Sequence, residues 1–173
     1  YIAHAAPHSP MQGPDEKAVR TEATPEGDKN SDRSNKEIYK DMVEELDWSV
    51  GRILETLKKY KLDENTFVVF FSDNGPVINN GGSAGGYKGA KGSPWEGGHR
   101  VPGICYMPGT IKEGTTCEQT VMSFDLFPTM LDMADIHYDD SKKKLDGTSL
   151  VPLFKGENLA PRLLFWGNGN KTI

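Results

Sequence analysis

Asp73 and Asn74 stand at the end of a greasy run, at the point in "FFSDNGPVINNGG" where the chain turns into glycine. Hard cations such as calcium and magnesium take carboxylate and amide oxygens, and this pair offers one of each. Open α/β sheets bind their ligands at the carboxyl ends of strands. Asp, Asn and Gly also suit an ordinary turn, so the pair by itself reads either way. A complete cation site needs more oxygens, and no partner carboxylate stands nearby in the sequence.

Downstream, Lys88 and Lys91 lie in "GGSAGGYKGAKGSPWEGGHRVP". A lysine is a point charge suited to an oxyanion such as sulfate or phosphate. The stretch is not a P-loop, because Gly92 follows Lys91 where Ser or Thr is required and no helical pattern comes next. The alternative for both lysines is a solvated surface, and Glu96 with Arg100 reads as an ion pair holding the loop. His4 and His8, in "AHAAPHSP", share a face if that segment is extended. Histidine donates or accepts a proton near neutral pH; a loop histidine without a role is the other reading. His99 and His137 have no supporting pattern.

These residues need elements to hold them. With 173 residues the chain is long enough for one domain with a core. The net charge of -5 gives no basic stripe, so nucleic acid is not an expected partner. The longest apolar run, residues 67–71, is far too short to span a bilayer, and no transmembrane segment is expected. Cys105 and Cys117 are compatible with one disulfide or two free thiols. Asn170-Lys171-Thr172 is a glycosylation sequon. The opening "YIAHAAPHSP" has no initiator Met, charged leader or h-region, and "LLFWGNGNKTI" stops as apolar residues resume. The expectation is a fragment of a longer protein.

Residues 11–34 are polar and lack an apolar period, which predicts a long exposed loop. Ser34 with Glu37 forms a capping box in sequence. Ile38, Met42, Leu46, Val50, Ile53, Leu54 and Leu57 then recur at helical spacing, ending near lysines 58, 59 and 61. "FVVFF" predicts a central parallel strand covered on both faces. Nine of the 25 residues from 75 to 99 are glycine, which predicts a loop. "VPGICYM" predicts a second strand and residues 115–122 a third. Ser123 is placed to cap a helix through Phe124, Leu126, Phe127, Met130, Leu131 and Ala134, with Pro128 early in it. Helix, strand, loop, strand, helix is an α/β order.

The series "APHSP", "ELDWSVGRILETL", "NTFVVFFSDNGP", "KGSPWEGGHRVP", "SFDLFPTMLDMA" and "LDGTSLVPLF" resembles the sulfatase family in content and order, over nearly the whole chain. The resemblance implies an alkaline-phosphatase-like α/β/α sandwich with a mostly parallel sheet, present as a fragment. Residues 1–173 are then a partial sulfatase catalytic domain. It implies hydrolysis of sulfate esters on a sulfated small molecule or sulfated glycan, in a secreted, lysosomal or periplasmic setting. Asp73 and Asn74 match two ligands of the family's divalent cation, usually calcium. Lys91 matches the lysine that contacts the sulfate. His8 matches the histidine that helps bind sulfate or protonates the leaving oxygen. Lys88 and His4 lack that support.

The family's nucleophile is a formylglycine made in a Cys/Ser-x-Pro-x-Arg motif. Neither Cys105, before Tyr-Met-Pro, nor Cys117, before Glu-Gln-Thr, stands in one. The formylglycine and the paired aspartates that complete the metal site are therefore expected before Tyr1. A phosphatase or phosphodiesterase relative on the same scaffold remains open. So does a catalytically incomplete fragment that only binds an oxyanion or a sugar.

Overall fold

A computed structural model describes residues 1–14, 32–141, 143–168 and 171–172. Asn170 of the sequon and the middle of the loop 11–34 lie outside the described residues.

Helix α1 (Asn35–Lys59) begins where the sequence places it. The Ser34 hydroxyl accepts from the Glu37 amide, and the Glu37 carboxylate accepts from the Ser34 amide at 2.8 Å. These bonds satisfy amide donors that have no partner inside the helix. The Ser34 hydroxyl, donating to Glu37 Oε2 at 2.7 Å, and the Ser34 amide hold the Glu37 carboxyl below its ordinary range. Ile38 and Met42 are buried, while Leu46, Val50, Ile53, Leu54 and Leu57 are half-buried along the same stripe. Lys58 and Lys59 close the last turn, where cations face the negative end of the helix dipole. Met11 is buried against Ile38 and Met42, with Ala6 and Tyr39 packed around them. The start of the predicted exposed loop thus belongs to the core, because an apolar side chain there meets the apolar stripe of α1.

Strand β1 (Val68–Phe71) and strand β2 (Gly103–Tyr106) pair in one sheet. Neither is buried as a central strand would be: Val68, Val69 and Phe70 are half-buried, and Phe71 is 41% exposed. The expected central position is not seen, since each strand has one hydrogen-bonded neighbour among the described residues, and the exposure of Phe71 shows that β1 is not covered on both faces. Strands β3 (Gly167–Asn168) and β4 (Lys171–Thr172) form an antiparallel pair.

The third predicted strand is absent; residues 115–122 are irregular. Side chains hold that segment in place of a ladder. Gln119 Nε2 donates to Asn158 Oδ1 at 2.8 Å, and Gln119 Oε1 accepts from the Leu159 amide at 2.9 Å. The predicted helix at Ser123 starts as a 3-10 turn and continues as α3 (Leu126–Met133). Its first turn is capped by Asp125, whose Oδ2 accepts from the Met122 amide at 2.7 Å, and not by Ser123. Two four-residue helices, α2 (Glu96–His99) and α4 (Val151–Phe154), have no periodic signal in the sequence.

The chain divides into two compact units. The first holds Tyr1–Asp63, Val69–Ile104 and Phe165–Ile173, with α1, α2 and all the candidate chemical residues. The second holds Glu64–Val68 and Cys105–Leu164, with α3 and α4. Among the described residues no helix is long and apolar enough to cross a membrane.

Candidate functional site

The site grows from the end of β1. Past Phe71 the chain leaves the ladder and makes a turn, with Ser72 Oγ donating to the Asn74 carbonyl at 2.9 Å. Asp73 is exposed, and its carboxylate takes no hydrogen bond or ion pair among the described residues. Asn74 is half-buried, and its Nδ2 donates to the Gly75 carbonyl at 3.0 Å. With the amide nitrogen engaged, the amide oxygen is the atom left to accept. The turn therefore offers a carboxylate and an amide oxygen side by side, a donor set that fits a hard cation. It fits as two ligands, since calcium takes about six to eight oxygens. No group of three or more His, Cys, Asp or Glu side chains gathers to hold a metal among the described residues.

The glycine-rich loop is tied to this turn by its backbone. The Gly75 amide donates to the Gly98 carbonyl at 2.8 Å, and the Lys91 amide to the Pro76 carbonyl at 3.0 Å. Gly75 and Gly97 approach so closely that a Cβ on Gly75 would collide with the Gly97 carbonyl. Only glycine permits that approach. Lys91 is thereby anchored beside the Asp73–Asn74 turn, while its ammonium is exposed and unpaired among the described residues.

Lys88 is in a different setting. Its Nζ lies 3.7 Å from the centroid of the Trp95 ring. The predicted pair of Glu96 and Arg100 is present, with Arg100 Nη1 3.1 Å from Glu96 Oε1, and the Arg100 guanidinium also sits 4.5 Å from the Tyr87 ring. His99 is structural: its Nε2 donates to the Pro94 carbonyl at 2.9 Å, and its ring stacks on Trp166 at 4.6 Å.

His8 and His4 are both exposed. The His8 amide donates to the Ala5 carbonyl, and its Nδ1 lies 2.8 Å from the Ser9 carbonyl, each within one short turn. A carbonyl only accepts, so Nδ1 carries the proton of that bond and Nε2 is the outward nitrogen. The segment after His8 reaches the loop through Met11, whose sulfur accepts from Asn80 Nδ2 at 3.6 Å. No hydrogen bond or ion pair joins His8 to Asp73, Asn74 or Lys91 among the described residues. Cys105 and Cys117 are free thiols, and burial pushes the Cys105 thiol above its ordinary pKa.

The sequence reading did not anticipate the tie from Lys91 to Pro76 or the backbone packing of Gly75 on Gly97. The signal available was the "EGG" that follows Trp95, since adjacent glycines in a loop mark close backbone approach.

Residues 1–136 match the family model described as Sulfatase. The chain belongs to the sulfatase family. Among curated sulfatase relatives, Steryl-sulfatase of Homo sapiens is 38% identical over 73% of this chain and 23% of its own length. N-acetylgalactosamine-6-sulfatase of Canis lupus familiaris is 39% identical over 78% of this chain and 26% of its own length. A crystal structure of Ps i-CgsB in complex with k-i-k-neocarrahexaose matches with TM-score 0.74 and 36% identity, over 88% of this chain and 32% of that one. The chain thus spans about a quarter of the length of the curated sulfatases it matches.

Proposed function

We propose that the full-length protein is a sulfuric ester hydrolase and that this chain supplies part of its cation site and part of its oxyanion site. One observation carries the reading. An exposed Asp73 carboxylate and the amide oxygen of half-buried Asn74 stand at the end of β1, and the 3.0 Å bond from the Lys91 amide to the Pro76 carbonyl anchors an ammonium to the same turn, all three unpaired among the described residues. Opposite charges placed at one strand end suit a monoanionic sulfate ester whose oxygens must meet a cation and a fixed positive group. Family membership and the sulfatase neighbours support placing β1 and β2 in a wider, mostly parallel sheet of an alkaline-phosphatase-like α/β/α sandwich.

Asp73 and Asn74 would hold a divalent cation, calcium by family resemblance. Bound there, it supplies positive charge against the non-bridging sulfate oxygens, an electrostatic effect that is often the largest in catalysis. Lys91 faces the same oxygens with a fixed charge. His8 in its protonated form keeps Nδ1–H on the Ser9 carbonyl and presents Nε2–H outward. As the sulfuryl group passes to the nucleophile outside this chain and the bond from sulfur to the ester oxygen breaks, the His8 proton passes to the departing oxygen, leaving neutral imidazole and an alcohol. The formylglycine nucleophile belongs to a part of the protein outside this chain.

The substrate class is a sulfated small molecule or sulfated glycan. Relatives named for a steryl and for an N-acetylgalactosamine sulfate, and a neighbour holding an oligosaccharide, support that breadth. The test compares full-length protein and its His8→Ala variant on an activated aryl sulfate and an unactivated alkyl sulfate. A general acid is typically worth about 10²–10⁴-fold, and most where the leaving group is poor. The alkyl sulfate should therefore suffer the larger loss. Equal losses would remove His8 from the acid role, and a preference for phosphate esters over sulfate esters would move the protein to a phosphatase.

A further inference from the structure

Lys88 has the charge of an anion ligand, but its ammonium is already engaged by the Trp95 ring at 3.7 Å. Its backbone is fixed too, with its carbonyl accepting from the Gly97 amide at 2.8 Å. Residues 88–97 are thereby a closed loop, joined at its base once through the backbone and once through side chains. Inside it, the Ser93 amide donates to the Ala90 carbonyl at 2.9 Å, and Ser93 Oγ accepts from the Trp95 amide at 3.1 Å. The base is tight: a Cβ on Gly97 would collide with the Gly89 and Lys88 carbonyls. Lys91 stands within this loop, and among the described residues its one bond outside it runs from its amide to the Pro76 carbonyl. The place of the Lys91 ammonium is therefore set by how the loop is closed.

We propose that Lys88 and Trp95 are a positioning pair whose cation–π contact closes the loop 88–97 and sets where the Lys91 ammonium stands. The inference rests on Lys91 contacting the oxyanion, as proposed above. It gives Lys88 a function distinct from that of a second anion ligand. A lysine that bound the anion itself would contribute whether or not Lys91 were present. A positioning lysine contributes only through Lys91, so its effect vanishes when Lys91 is removed.

Lys88 is exposed and Trp95 is 46% exposed, so substitutions at both leave the core untouched. The experiment measures kcat/KM for an aryl sulfate in the full-length protein. Lys88→Gln, Trp95→Leu and Lys88→Arg are each made with Lys91 present and in the Lys91→Ala background. With Lys91 present, Lys88→Gln and Trp95→Leu should each cost about 2- to 5-fold, the size of an exposed cation–π contact. Lys88→Arg should restore most of it, because a guanidinium also sits over a Trp face. In the Lys91→Ala background neither loss should appear. Equal losses in both backgrounds, or no loss with Lys91 present, would overturn the proposal. If Lys91→Ala is itself silent, the oxyanion reading of Lys91 falls and this inference with it. If Lys91→Ala is costly and Lys88→Gln is silent, only the positioning pair falls.

Discussion

The Asp73 carboxylate is exposed and accepts nothing among the described residues, whereas that of Asp125 is fully buried and accepts from four donors. Asp125 Oδ1 takes the Thr148 amide at 2.9 Å and Arg162 Nη1 at 2.5 Å. Its Oδ2 takes the Met122 amide at 2.7 Å and Arg162 Nη2 at 2.5 Å. Thr129, also buried, continues the network, donating to the Asp125 carbonyl at 2.6 Å and accepting from the Leu150 amide at 2.9 Å. A buried charge is tolerable only when paired and hydrogen-bonded, and here every oxygen of the carboxylate is used. The Asp125 carboxylate has no oxygen left to offer a ligand. The turn at Asp73 has the reverse character, with acceptors and an ammonium held by backbone and left open. The same residue type thus serves the fold in one unit and is available for chemistry in the other.

Four measurements bear on this contrast. Asp73→Ala in the full-length protein should abolish sulfatase turnover and calcium content. Its unfolding free energy should stay within about 0.5 kcal/mol, as for an exposed residue without partners. Full activity in that variant would sink the metal assignment. Asp125→Ala should do the opposite, lowering stability by about 3–5 kcal/mol because Arg162 is left uncompensated. Denaturant titration measures that loss, and kcat/KM per folded molecule should be unchanged. Lys91→Ala should lower kcat/KM by about 10²-fold or more, the loss of one preorganised electrostatic contact, with an unfolding midpoint like that of the parent.

The smallest effect is on pH. Burial alone would raise the Asp125 pKa, but the hydrogen bonds from Arg162, Thr148 and Met122 outweigh it and hold the carboxyl below its ordinary 3.8. The folded state therefore binds fewer protons than the unfolded state in that range. The stabilisation is fully present above the ordinary carboxylate value and is lost as pH falls through the depressed one. Comparing unfolding free energies of parent and Asp125→Asn against pH should show the parent losing the larger share of stability on acidification. Parallel curves would contradict the assignment.

Helix α1 was legible because its cap, its apolar stripe and its terminal lysines are all local in sequence. The cores of β1 and β2 were legible as short apolar runs. The role of Asp125 was not, because Arg162 meets it through space from far along the chain. Nor was the burial of Met11, which depends on Ile38 and Met42 arriving beside it. Residues 115–122 have strand-like composition, but the Gln119 side chain bonds to Asn158 and Leu159 instead. At the site, the residue types were readable while their mutual placement was not. The tie between Lys91 and Pro76 is a backbone bond that no side-chain pattern announces.

The most direct test is a crystal structure of the full-length protein grown with calcium. The expected result is an ion within about 2.3–2.6 Å of an Asp73 carboxylate oxygen and the Asn74 amide oxygen, with the Lys91 ammonium turned toward the oxyanion position. A calcium ion bound elsewhere, with Asp73 facing solvent, would contradict it.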